Sequence, residues 1–136
     1  MHKFIFILVT VAALTASFNA SAQQGQTSEM PDPMELAAKI ADQMERDLEL
    51  DIAQVFMIDT LYQHAYTEYY ADIEKLSKAG VPSTSSQYLR TSDKWGDYID
   101  KVLEKILTEQ QWAKYLKGDG GRAKKQRDKR MASDKY

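Results

Sequence analysis

Two five-residue stretches constrain the fold of this 136-residue chain more than anything else in it: Leu50-Asp51-Ile52-Ala53-Gln54 and Leu107-Thr108-Glu109-Gln110-Gln111. In the second, an apolar run ends at Leu107. Thr108 is placed to cap a new helix by accepting from the amide three residues on, and Gln111 to reach back to the Thr108 amide. Leu107 and Trp112 then hold the two staple positions that fix how the chain enters the helix, and Gly118 supplies the stop. The first stretch repeats the arrangement, with Asp51 as cap, Gln54 as its reciprocal partner, and Leu50 and Val55 as staple. Aspartate serves as well as threonine there, because a carboxylate accepts the same amide hydrogen bonds and suits the positive end of a helix. Each junction predicts a fixed bend that lays a short helix back toward a longer one.

The rest of the chain reads as helices around these bends, with no strand-like alternation. Asp32, with Pro33 in the first helical position and Glu35 three residues past the cap, opens a first helix. Its apolar positions are Leu36, Ala37, Ile40, Ala41, Met44 and Leu48, and Glu35–Lys39 and Asp42–Arg46 are spaced to pair one turn apart. The second helix runs from Asp51 to about Ala79, roughly 40 Å. Its stripe comprises Ile52, Val55, Ile58, Tyr62, Tyr66, Tyr69, Ile73 and Leu76, and Gly80-Val81-Pro82 ends it. A third begins between Thr84 and Ser92, either of which is a possible cap, and Gly96 is a weak point in it worth up to about 1 kcal/mol. The fold expected is all-α: four helices, short–long–long–short, over residues 32–118, with the long pair forming a hairpin about Pro82.

Composition sets the compartment. His2 and Lys3 precede an apolar run from Phe4 to Leu14 broken only by Thr10, and Ala20 and Ala22 stand where a signal peptidase reads small residues. Residues 1–22 are therefore expected to be a cleaved export signal, cut after Ala22, with residues 23–31 a polar linker. The run is short of the ~20 residues a membrane span needs. The chain has no cysteine, which excludes disulfides, thiol catalysis, zinc–thiolate sites and a lipoprotein anchor. Its core must form by packing alone, and so thin a helical core is commonly completed by pairing, so an antiparallel helical homodimer is expected. Charge is uneven: from Gln23 to Gly118 ten basic residues face seventeen acidic ones, whereas residues 119–136 carry seven basic and three acidic. With almost nothing apolar to bury, 119–136 is expected to be a disordered basic tail, solvated or touching an anionic surface rather than binding nucleic acid.

The two Leu-(Thr/Asp)-x-x-Gln stretches, each at a helix junction in an exported, cysteine-free helical chain, resemble the LTxxQ-motif proteins of the bacterial periplasm, the Spy/CpxP family. The resemblance covers about Asp32 to Gly118. It implies a non-enzymatic periplasmic protein that binds unfolded or stressed envelope proteins without ATP. The alternative it implies is a regulatory module that binds the exported domain of an envelope-stress sensor. The motif residues Leu50, Asp51, Gln54, Leu107, Thr108 and Gln111 are structural in either case.

No catalytic constellation stands out, and no cofactor or metal is expected. His64 falls on the polar side of the second helix with Glu68 one turn away, a spacing better explained as an exposed helix pair than as half a zinc site. Asp42, Glu45, Asp47, Glu49 and Asp51 lack the glycine and ligand spacing of a calcium loop and read as a solvated face. More informative are Phe56, Tyr62, Tyr66, Tyr69 and Tyr70. With them the second helix is apolar over nearly half its circumference, more than a two-helix seam requires. One reading packs these rings against the short helices and a second subunit; the other leaves them as a surface for non-native chains, where tyrosine offers apolar area with a polar tip.

Overall fold

The computed structural model describes residues 30–133 and, within them, five helices and no strand. These are α1 (Pro33–Leu48), α2 (Ile52–Lys78), α3 (Ser86–Ile106), α4 (Glu109–Lys117) and α5 (Asp119–Met131). No helix among the described residues is long and apolar enough to cross a membrane. The expected signal, its cleavage after Ala22, and nearly all of the linker lie outside the described residues.

Local chemistry places the first four helices where the sequence puts them. Asp32 caps α1, its carboxylate accepting from the Met34 amide at 2.9 Å, with Pro33 behind it. Both junction boxes form: Asp51 accepts from the Gln54 amide at 2.8 Å, and Thr108 from the Gln111 amide at 3.2 Å. The cap of α3 is neither Thr84 nor Ser92 but Ser85, whose hydroxyl accepts from the Gln87 amide, while the Tyr88 hydroxyl ties the turn back to the Val81 carbonyl at 2.8 Å. The Asp42–Arg46 pair expected on α1 does not form; Arg46 donates to Gln43 instead.

The α2–α3 hairpin is the spine. α1 packs along α2, α5 along α3, and α4 bridges α1 and α5. Ala37, Ala41, Met44 and Leu48 of α1 bury their stripe against Ile58, Leu61 and Tyr62 of α2, and Ile58 and Leu103 are the largest side chains sealed completely. The core therefore sits at the junction end of the hairpin, where Leu50 and Leu107 also enter it. Along the hairpin toward its turn, polar contacts join α2 to α3. The Trp95 indole N–H and Lys94 ammonium both donate to Asp72, at 2.9 and 3.1 Å.

The fifth helix overturns two expectations, the four-helix count and the disordered tail. Its attachment is ionic. Asp93 and Asp100 lie two turns apart on the buried face of α3, each with a side chain only 4% exposed. Arg130 grips Asp93 with two parallel hydrogen bonds of 2.9 and 2.7 Å, and Arg127 pairs with Asp100, which also accepts from the Tyr115 hydroxyl at 2.8 Å. Gly96 lies between the two acids, and a Cβ there would sit 2.4 Å from Arg127 Nε, so the glycine leaves room for the guanidinium to lie across α3. Gly121 makes the elbow between α4 and α5 possible in the same way, since a Cβ would strike the Leu116 carbonyl. Gly118 thus ends α4 without ending the helical fold. α5 has almost no apolar face; it is held to α3 by Arg127 and Arg130.

Two predictions follow from this packing. Arg127→Leu strands the buried Asp100 carboxylate and should destabilise the protein by about 3 kcal/mol, while adding Asp100→Leu should recover much of the loss; urea midpoints measure both. Burial also pushes the Tyr62 and Tyr115 phenols well above their ordinary range, each raised further by the other or its neighbouring tyrosine and by the Asp100 charge. A phenol whose folded pKa is raised contributes stability that is complete below its unfolded value of about 10 and is lost as pH rises beyond it. Unfolding midpoints should therefore fall steeply above pH 10, and tyrosinate absorbance from these two rings should grow only as helicity is lost.

Candidate functional site

The two motifs, 57 residues apart in sequence, meet in space. Each glutamine already serves its own junction, Gln54 Oε1 accepting from the Asp51 amide at 3.1 Å and Gln111 Oε1 from the Thr108 amide at 2.9 Å. Their side-chain amides then hydrogen-bond to each other in both directions, Gln54 Nε2 to Gln111 Oε1 at 2.7 Å and Gln111 Nε2 to Gln54 Oε1 at 3.2 Å. The second proton of each amide goes to the end of a helix belonging to the other motif. Gln54 donates to the Ile106 carbonyl at 3.1 Å, and Gln111 lies 3.4 and 3.5 Å from the Leu48 and Glu49 carbonyls. Helix C-terminal carbonyls lack intrahelical partners, so each motif satisfies groups the other leaves open. A glutamate in the same place would complete its own capping box but has no N–H for the second task. All four capacities of Gln54, itself 7% exposed, are used.

This clamp fixes the N-terminal end of α2, the helix that carries the five aromatic candidates, and the structure divides them. Tyr62 is 8% exposed and belongs to the core, so it is not available to a client. Tyr66, Tyr69 and Tyr70 form a half-buried cluster, with ring centroids 5.8 to 6.4 Å apart. Burial and mutual proximity raise the Tyr66 and Tyr70 phenols, so both stay uncharged at neutral pH. Tyr66 and Tyr69 line a cleft of about 330 Å³ with Trp95 on α3 and the two arginines of α5. Phe56, 70% exposed, is separate from this group; it lies in a groove of about 330 Å³ between α1 and α2, beside Ile52.

Three participants were not foreseen. Ile52, expected in the core stripe, is the first residue of α2 and is 88% exposed, at the rim of the α1–α2 groove. Arg127 and Arg130 lie in α5, within the segment expected to be a disordered basic tail. The seven-residue spacing of Asp93 and Asp100, with Gly96 between, was the available signal for them. His64 is exposed, as expected, with its ring edge-on to Trp95 and Tyr98 at 6.1 and 5.9 Å. Asp42, Glu45, Asp47, Glu49 and Asp51 are dispersed, the first two to the α1–α2 groove and Asp51 to its cap. Among the described residues no three His, Asp or Glu side chains are grouped to hold a metal ion.

Compared with family models, curated proteins and solved structures, the chain matches none.

The clamp generates its own test. Gln54→Ala and Gln111→Ala should each destabilise by about 1–3 kcal/mol, and the double variant by clearly less than the sum, with a coupling of about 1 kcal/mol measured by urea unfolding. Strict additivity would mean that the amides do not meet in solution. Gln111→Glu should be nearly as damaging as Gln111→Ala, although it preserves the capping box.

Proposed function

We propose that this chain is an exported, nucleotide-independent chaperone-like protein of the LTxxQ type, which binds unfolded or stressed envelope proteins in the periplasm. The observation that carries this reading is the surface of α2. A helix clamped rigidly at one end presents two apolar sites outside its core, the Ile52–Phe56 groove and the Tyr69–Tyr70 pair, which stands beside Tyr66 where that ring packs against the core. Single exposed apolar residues are ordinary; a rigid helix carrying two such sites suits an interaction surface. The tyrosines give broad, uncharged contact area at low entropic cost, which suits partners without fixed sequence. The capping-box repeat supports the family reading, since each Gln performs a task in the partner junction that requires both copies. Pairing of two chains in an antiparallel dimer is part of the proposal and would place two such surfaces on one particle.

Mature protein at near-stoichiometric amounts should slow the aggregation of at least two unrelated denatured proteins without nucleotide. Tyr69→Ser with Tyr70→Ser should weaken that activity several-fold while leaving helicity by circular dichroism intact, because both rings lie outside the core. If no client is protected at low or moderate salt and the protein instead binds one folded sensor domain tightly, the regulatory reading replaces this one.

A further inference from the structure

We infer that the α1–α2 groove is selective: it takes polypeptide segments in which apolar residues flank a lysine or arginine. This rests on the chaperone reading above and adds a sequence preference to it. The groove is floored by Ala38 and Ala41, whose small side chains keep it open, and walled by the exposed Ile52 and Phe56. Asp42, Glu45 and Asp59 complete its lining. None of these three carboxylates has a cation within ion-pairing distance among the described residues; all the ion pairs there lie on the second half of α2, on α3 and on α5. Residues 33–68 hold eight acidic side chains against two basic ones, so the field at the groove is negative.

Asp59 adds a second, independent observation. Its Oδ2 accepts from Gln63 at 3.0 Å, but its Oδ1 is shut away from solvent with no hydrogen-bond donor. A buried carboxylate oxygen without a donor is destabilising, and nothing in the described chain relieves it. An N–H-bearing cation entering the groove would, once the Asp59 carboxylate turns toward it. The apolar walls favour hydrophobic neighbours on either side of that cation. The α1 lining, Ala38 to Glu45, spans about 10 Å at 1.5 Å per residue, room for three or four residues of an extended segment. A wholly apolar segment would leave the carboxylates unpaired, and an acidic one would be repelled.

The test uses two short fluorescent peptides with the same alternating Phe/Leu pattern, one with Lys and the other with Glu at the polar positions, titrated against the full mature protein by anisotropy. The Lys peptide should bind at least about tenfold more tightly at low salt, and the preference should shrink once screening shortens to about 8 Å at 0.15 M. Phe56→Ser should weaken binding of the Lys peptide. Asp42→Asn with Asp59→Asn should remove most of the Lys preference while helicity stays unchanged and melting temperature does not fall. Equal binding of the two peptides, or a preference that survives the Asn substitutions, overturns the inference. So does sedimentation showing that Phe56→Ser dissolves a dimer, because a second copy would then be the occupant. Aggregation assays run in parallel keep the two readings apart: protection of clients without peptide preference removes only the groove, whereas peptide preference without protection removes only the chaperone reading.

Discussion

Two side-chain amides hold the chain's two bends face to face, and the arrangement of the other helices depends on them. Gln54 and Gln111 each close a local cap, bond to each other, and serve carbonyls at the end of the helix that precedes the opposite junction. The network joins local and long-range structure through the same four atoms. Melting one junction leaves the other with unpaired donors, so α1 and α4 are coupled although they share little apolar contact. Leu50 and Leu107, each one residue before a cap, carry the same coupling into the core.

What was legible follows from this division. Capping chemistry is local and uses a small alphabet, so Asp32, Asp51 and Thr108 could be read as caps directly. The meeting of Gln54 with Gln111 is not local, and a repeated motif gives no distance between its copies. The core stripe of α2 was readable from Val55 to Tyr62, but a helix's first residue often leaves the packed face, and Ile52 did. Tyr62, on the same stripe and also a candidate contact, is instead part of the buried core. Residues 119–131 were the largest miss. Hydropathy finds helices that bury carbon, and α5 buries guanidinium groups against carboxylates that lie on another element. The opposed charges of body and tail were visible in the sequence; their pairing required the spacing of Asp93, Gly96 and Asp100 to be read as a docking face.

The same charge distribution organises the surface. Asp93 and Asp100 on α3 are neutralised by arginines of α5, whereas the acids on α1 and the first half of α2 have no ion pair among the described residues. The half built from the end of α2 with α3, α4 and α5 carries the tyrosine cluster and, over residues 69–133, fourteen basic side chains against nine acidic ones. The other is left negative around an apolar groove. A single helix, α2, runs through both, so two surfaces of different chemistry are held at a fixed separation along one rigid element.

The seating of α5 allows little compromise. Its two arginines are three residues apart and the two aspartates seven, and the glycine at position 96 leaves space where a guanidinium crosses. Sliding α5 by one turn would press Arg127 against side chains and leave a carboxylate sealed from water without a partner, which is severely unfavourable. Hydrophobic faces tolerate such slips because methyl groups are nearly interchangeable; discrete charges do not. The helix therefore has one seated position and a released one, with no graded series between them. Hydrogen exchange along α5 should accordingly report a single cooperative opening in place of progressive fraying from Met131 inward.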